Sequence, residues 1–210
     1  MADFQNCPNC QKRVELCVCS QIQPLDSKIH ILILQHPQEP DHELGSARIA
    51  HLALKNSDLR IGLSWRNLAD ALGRPASPAN WAVLYLGSGV KSDGPTQPGL
   101  IFVSKKGIPV PRPEKLEGIV ILDGTWSQAK ALWWRNAWLL KCKRVILNPK
   151  TPSLYGPLRR EPRKECLSTT ESIAEVLSEL GEPREIRDSL RKNFALLLEK
   201  YKGLHPGRRR

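Results

Sequence analysis

Apolar residues in this chain gather into short runs, each closed by a turn signal. Five stand out: Lys28-Ile29-His30-Ile31-Leu32-Ile33-Leu34, Trp81-Ala82-Val83-Leu84-Tyr85-Leu86, Leu100-Ile101-Phe102-Val103, Gly118-Ile119-Val120-Ile121-Leu122 and Arg144-Val145-Ile146-Leu147. Short runs without alternation read as strands buried on both faces, the form parallel sheets take. Between them the period changes. Ser46–Lys55 sets Ile49, Leu52 and Ala53 at helical spacing, with Asn56 and Ser57 as stop signals. Ser127–Leu140 predicts a helix with Trp126, Ala129, Trp133 and Leu140 toward one side, an apolar stripe suited to packing on a sheet. Ser172–Leu180 predicts another, opened by Leu167-Ser168-Thr169-Thr170-Glu171 and ended by Gly181 and Pro183; Ser168 and Glu171 have capping-box spacing. Arg184–Lys202, with Ile186, Leu190, Phe194, Leu197 and Leu198 on one face, predicts the last helix. Strands interleaved with helices predict an α/β fold with a mainly parallel sheet flanked by helices.

The ligand crevice of such a sheet lies just beyond the carboxyl ends of its strands. Asp123 stands at such an end, and Gly124 lets the backbone turn tightly or approach a ligand. Three loops occupy equivalent places: Leu86-Gly87-Ser88-Gly89, Asp123-Gly124-Thr125-Trp126, and the path from Leu147 toward Ser168–Glu171. The glycine pair at 87 and 89 lacks Walker or dinucleotide spacing, so a phosphate cradle and a simple turn fit it equally. After the first strand comes Gln35-His36-Pro37-Gln38-Glu39-Pro40, which places His36 and Glu39 at the crevice; for a histidine beside a loop proline a structural role is favoured.

The charge balance narrows the partners. The formal net charge is +11, and residues 141–210 hold 17 Lys/Arg against 9 Asp/Glu. This asymmetry points to a polyanion, nucleic acid first, with solvated helix faces and a basic tail as the bland alternative. A loop bearing Pro149, Pro152, Gly156 and Pro157 carries Tyr155, Arg159 and Arg160, and is expected to be rigid, basic and exposed to RNA phosphates. At 40% hydrophobic and 25% charged residues the composition is that of a soluble globular protein. No apolar run approaches the roughly 20 residues of a membrane span. The N-terminus lacks signal-peptide regions, so a cytoplasmic location is expected.

In that compartment clustered cysteines bind metal more often than they form disulfides. Cys7-Pro8-Asn9-Cys10 and Cys17-Val18-Cys19 offer four thiolates within thirteen residues. Zn²⁺ takes four N/S ligands in a tetrahedron, and a closed four-cysteine site is structural. Cys142 and Cys166 read as ordinary thiols. The expected organisation is a zinc-binding element over 1–24, a catalytic domain over 25–204 and a basic tail over 205–210.

The cysteine cluster, Gln35-His36-Pro37-x-Glu39, Asp123-x-Thr125-Trp126 and Leu167-Ser168-Thr169-x-Glu171, in this order, resemble the DTW-domain family. The likeness runs from about Cys7 to Leu180. Two stretches depart from it: Asp41–Ser46 lacks an Asn-Thr-like pair common in relatives, and the first glycine loop lacks their proline. The resemblance implies a knotted, SPOUT-like α/β fold, an exception to the rule against threaded chains. It also implies a tRNA-uridine aminocarboxypropyltransferase, which moves the 3-amino-3-carboxypropyl group of S-adenosylmethionine to N3 of a uridine and releases 5′-methylthioadenosine. Related knotted enzymes often dimerise, so a monomer or a homodimer is expected.

On that resemblance Leu86, Gly87, Leu122, Asp123, Gly124, Thr125, Leu147, Leu167, Ser168, Thr169 and Glu171 are expected around S-adenosylmethionine. Attack at any of its three sulfonium carbons breaks a C–S bond, so the choice of group is one of bound conformation. Asp123 and Trp126 are the expected catalytic residues. Asp123, in a partly apolar corner that should raise its pKa, would take the uridine N3 proton; its alternative is a structural acid orienting Thr125. Trp126 would stack on the base or pack in the core. Cys7, Cys10, Cys17 and Cys19 would hold the zinc, and Arg159, Arg160, Arg163 and Lys164 would attract the tRNA backbone. Two other functions remain open at this point: a SPOUT-type RNA methyltransferase, and a zinc-ribbon RNA-binding module without catalysis.

Overall fold

Two neighbouring inner strands of the sheet are buried at every position, as their apolar sequence requires: β1 (His30–Gln35) and β5 (Gly118–Asp123). The computed structural model describes residues 6–84, 98–158 and 167–206. Around this pair lie β2 (Ser57–Ile61), β3 (Trp81–Leu84), β4 (Gly99–Val103) and β6 (Lys143–Asn148), in the spatial order β2-β1-β5-β3-β6-β4. All neighbours run parallel except β4, which pairs antiparallel with β6 and closes one edge. The expected α/β class with a mainly parallel sheet is therefore what forms.

Successive side chains of a strand leave on opposite faces, and the two halves of the core follow that alternation. Ile31, Ile33, Ile119 and Ile121 face α1 (Ala47–Leu52), α4 (Thr169–Glu179) and the start of α5 (Arg184–Leu204). Leu32, Leu34, Val120 and Leu122 face α2 (Leu68–Leu72) and α3 (Trp126–Arg135). Trp81 is fully buried on this second face. Its ring lies over its cross-strand neighbour Gly118, where a Cβ would come within 2.5 Å of the indole, so only glycine fits. A third cluster joins Leu16 and Val18 of the cysteine-bearing segment to Phe194, Leu197, Leu198 and Tyr201 of α5.

Several elements differ from their sequence pattern. β2 and α2 have no counterpart among the expected elements. β2 is a half-exposed edge strand, Ser-Asp-Leu-Arg-Ile, whose polar residues hide it. α2 is five residues long, capped by Asn67, whose side chain accepts from the Asp70 N–H at 2.8 Å, and stopped at Gly73. The helix expected to reach Leu140 ends at Arg135. Asn136 breaks it: fully buried, it donates to the carbonyls of Leu132 and Leu63 and accepts from the Trp65 N–H and the Trp138 indole. A 3-10 turn over Ala137–Lys141 follows, leaving Leu140 exposed. Tyr155 is not on an exposed loop: it is buried, meets the Phe194 ring edge-on at 5.0 Å and donates to the Leu44 carbonyl. No helix among the described residues is long and apolar enough to cross a membrane.

Candidate active site

The carboxyl ends of β1 and β5 stand side by side in register, Gln35 opposite Asp123. Both are buried, although each is polar at the end of an apolar strand. Burial of such groups requires partners. Gln35 Nε2 donates to Asp123 Oδ2 at 2.8 Å, and the Thr169 hydroxyl at the start of α4 donates to Asp123 Oδ1. The His36 N–H donates to the Asp123 carbonyl at 3.0 Å. The acid is thus held from both β1 and α4.

Thr125 has a different task. Its hydroxyl caps α3 by accepting from the Gln128 N–H, while Gln128 Oε1 accepts from the Thr125 N–H at 2.6 Å. The Gln128 amide also donates to Gln38 Oε1 at 3.1 Å, bracing α3 against the loop after β1. Gly124 must be glycine for this turn, since a Cβ there would lie 2.8 Å from the Gln128 Cβ. Trp126 opens α3 and is half-buried.

The opposite wall is the start of α4. Ser168 caps it and Glu171 reaches back to the Ser168 N–H, the capping box expected from the spacing. Glu171 is fully buried, and its carboxylate also accepts from the Leu154 N–H at 2.7 Å and the Ser153 hydroxyl at 2.8 Å. It therefore holds the 153–154 loop onto α4. Thr170 ties the same helix start to Ser46, donating its hydroxyl to the Ser46 carbonyl at 2.9 Å.

Between the end of β1, the loop after it, α1 and the cysteine segment lies a small polar cavity lined by Cys10, Lys12, Gln35, Glu39, Pro40, Gly45 and Arg48. Lys12 is buried, its ammonium donating to the carbonyls of His42 at 3.2 Å and Glu43 at 2.8 Å. Burial lowers its pKa from 10.5 to about 8, against the opposing pull of Cys10, Glu43 and Asp123. Gln35 must turn its amide nitrogen toward the acceptor-only Asp123, which leaves Oε1 buried without a hydrogen-bond partner among the described residues. A buried acceptor of this kind is where a ligand N–H would be satisfied.

Cys7, Cys10, Cys17 and Cys19 bring their sulfurs within 4.8 Å of one another. The Cys7 and Cys19 sulfurs are 3.8 Å apart, far beyond a disulfide bond. A tetrahedron with Zn–S of about 2.3 Å has edges of about 3.8 Å, so the spacing fits a metal. The Cys19 N–H points at the Cys17 sulfur at 3.5 Å, and the Cys7 thiol pKa is lowered to about 6, chiefly by the backbone at Cys10. The four thiols can hold a metal ion. Cys142 lies apart, its thiol pushed up to about 12 by burial.

Of the residues expected at the cofactor, Leu122, Asp123, Gly124, Thr125, Ser168 and Thr169 meet at the junction of β5 and α4. Leu167 lies half-buried just before the cap, and Leu147 half-buried on β6, two strands from β5. Leu86, Gly87, Arg159, Arg160, Arg163 and Lys164 lie outside the described residues. Gln35, Lys12, Ser46 and Arg48 were missed as site residues. Gln35 carries the same signal as Asp123, a polar side chain ending an apolar strand; Lys12 carries none.

Parallel strands whose ends gather an acid, an amide and a hydroxyl define an α/β protein with a candidate ligand site where such sheets place one. The model of the DTW domain matches residues 4–202, and the chain belongs to that family. It is 28% identical over 189 residues to a Macaca fascicularis protein named tRNA-uridine aminocarboxypropyltransferase 2, covering 88% of this chain and 59% of that one. A Drosophila melanogaster protein of the same name is 28% identical over 88% of this chain and 70% of its own length. An Arabidopsis thaliana protein, tRNA-uridine aminocarboxypropyltransferase A, is 26% identical over 82% and 71% respectively. The chain thus spans only 59% of the macaque relative. No solved structure matches it significantly.

Proposed function

We propose that this chain transfers the 3-amino-3-carboxypropyl group of S-adenosylmethionine to N3 of a tRNA uridine. One observation carries the reading: four separate segments meet at one corner, Gln35 and Thr169 bonded to Asp123, with Lys12 of the cysteine segment lining the cavity that Gln35 also lines. These are the segments by which the chain resembles its family, and relatives in that family carry the transferase name.

When bound, S-adenosylmethionine supplies the electrophilic carbon: the N3–C bond forms, the C–S bond breaks with its electron pair on sulfur, and 5′-methylthioadenosine leaves. Asp123 takes the N3 proton, and Gln35 and Thr169 fix the plane of its carboxylate so that the base need not reorganise. Gln35 Oε1 accepts from a ligand N–H. Leu122 and Leu147, with Leu86 and Gly87, enclose the nucleoside; Gly124, Thr125 and the Leu167–Thr169 backbone contribute polar contacts, and Glu171 holds that wall in place. Trp126 stacks on the target base. The four cysteines hold a structural Zn²⁺. Arg159, Arg160, Arg163 and Lys164 attract the tRNA backbone. A SPOUT-like threading of the last elements, a cytoplasmic setting and a monomeric or homodimeric state belong to the same proposal.

The test is incubation with unmodified tRNA and S-adenosylmethionine labelled in its aminocarboxypropyl carbons. Label in the tRNA, matched by 5′-methylthioadenosine, is the expected result. S-adenosylhomocysteine as by-product would make the protein an RNA methyltransferase; RNA binding with neither by-product would make it a non-catalytic module. Metal analysis is expected to find about one zinc per chain, and a stable metal-free protein would overturn the closed site.

A further inference from the structure

The side of α3 turned away from the sheet carries chemistry that the crevice does not use. Ala129 and Leu132 pack inward, whereas Trp134 is 77% exposed. An indole left in water forgoes a large burial gain, and such a position asks for a partner. Helical spacing sets Trp126, Lys130 and Trp134 at successive i,i+4 places along one side. An indole, an ammonium and a second indole thus form a row about 12 Å long at the rise of an α-helix. It begins at the crevice, because Trp126 opens α3 three residues after Asp123. Beside it Trp133 is half-buried under the Arg144 guanidinium, 5.4 Å from the ring centroid.

Along the segment that carries the row the charge has one sign. From Gly124 through Leu158 the sequence contains no Asp or Glu, but carries Lys130, Arg135, Lys141, Lys143, Arg144 and Lys150. Lys150 is drawn into an ion pair with Glu179 of α4, and Lys130, Arg135, Lys141 and Lys143 are exposed. Aromatic faces interleaved with cations are how proteins hold single-stranded nucleic acid without reading its sequence: bases stack and phosphates pair. A second copy of the chain fits this face less well. A two-fold interface would set the same cationic surface against itself.

We propose that the outer face of α3 is an RNA-docking surface, on which Trp134 stacks against an unpaired base neighbouring the target and Lys130 meets the adjoining phosphate. The proposal rests on the reading of the chain as an enzyme of tRNA, and adds where the RNA lies: along α3, leading its unpaired segment to Trp126 and Asp123. It does not draw on the basic residues at 159–164, which lie outside the described residues.

The test uses the full chain with Trp134→Ala and Trp134→Phe, measuring tRNA affinity, KM and kcat for transfer, thermal midpoint and oligomeric state. Because Trp134 is exposed, the midpoint is expected to stay within about 2 °C of wild type. The affinity for tRNA is expected to fall about tenfold in Trp134→Ala, with KM rising to match, kcat nearly unchanged, and most of the loss restored by Trp134→Phe. Lys130→Ala should lower the slope of log affinity against log salt by about one. Wild-type tRNA affinity in Trp134→Ala would overturn the proposal. So would a changed oligomeric state with tRNA affinity intact, which would seat a second copy on this face. If the wild-type protein transferred nothing yet bound tRNA in a Trp134-dependent way, the transferase reading would fail and this surface would stand.

Discussion

Two helices start at the crevice, and both start with a capping box, yet the two boxes live in opposite surroundings. At α3, Thr125 is exposed and Gln128 only half-buried, and the outer arm of the box extends to Gln38 on a surface loop. At α4, Ser168 and Glu171 are buried, and the Glu171 carboxylate collects two further donors from the 153–154 loop. The local chemistry is the same, two orphan N–H groups satisfied reciprocally. What differs is what else leans on it. The α4 start is a fixed wall into which Thr169 is set, and Thr169 presents its hydroxyl to Asp123. The α3 start is a wet rim that can meet a large partner. One crevice thus has a braced, buried side and an exposed one, which the proposed function assigns to the small substrate and to RNA respectively.

Asp123 belongs to both sides, as the last residue of the strand that feeds α3 and the acceptor for α4. Its substitution carries the largest expected effect. Asp123→Asn preserves shape: the Thr169 hydroxyl still has an oxygen to meet, and Gln35 can turn its amide so that Oε1 accepts from the new NH₂. Stability should change by no more than about 1 kcal/mol. Transfer should fall about 10²- to 10⁴-fold, the range expected when a general base is lost. Single-turnover rates with saturating tRNA check this, and wild-type turnover would remove Asp123 from the chemistry.

Next in size is the buried box. Glu171→Ala strands the N–H groups of Ser168 and Leu154 and the Ser153 hydroxyl, at about 1 kcal/mol each. A loss of about 3 kcal/mol lowers the melting temperature of a protein this size by roughly 6–12 °C. Calorimetry of the purified variant measures it. A fall of under 2 °C would mean that the inner wall is no firmer than the outer rim, and the contrast between the two helices would collapse.

Much of this contrast was legible in the sequence, and the rest was not for definite reasons. The Ser168–Glu171 spacing announced its cap, and the apolar run into Asp123 announced the crevice. Four cysteines within thirteen residues announced a cluster that could hold a metal. Nothing local in Glu171 says that a loop seventeen residues earlier will close onto it. Lys12 looks like a surface lysine until Leu16 and Val18 pull its segment onto α5 and bury it. The Tyr155 loop looked exposed because its prolines and glycine are turn residues, while its burial comes from a partner, Phe194, far along the chain. Leu140 looked like part of the inward stripe because helical period alone cannot tell where a helix stops. Asn136 decided that, by ending α3 at Arg135.

The smallest expected effect separates the two uses of the outer cap. Gln128→Ala removes both arms: the acceptor for the Thr125 N–H at 2.6 Å and the donor to Gln38 at 3.1 Å. Half-exposed caps cost about 0.5–1 kcal/mol, so the melting temperature should drop by only about 1–4 °C. Gln128→Glu keeps the acceptor, favoured further by the positive end of the helix, and loses only the donor to Gln38. If transfer weakens a few-fold in both variants while stability returns in Gln128→Glu, the brace between α3 and the loop after β1 is what matters. Should activity return together with stability, Gln128 is a helix cap and no more, and the outer wall contributes its aromatic and basic face alone.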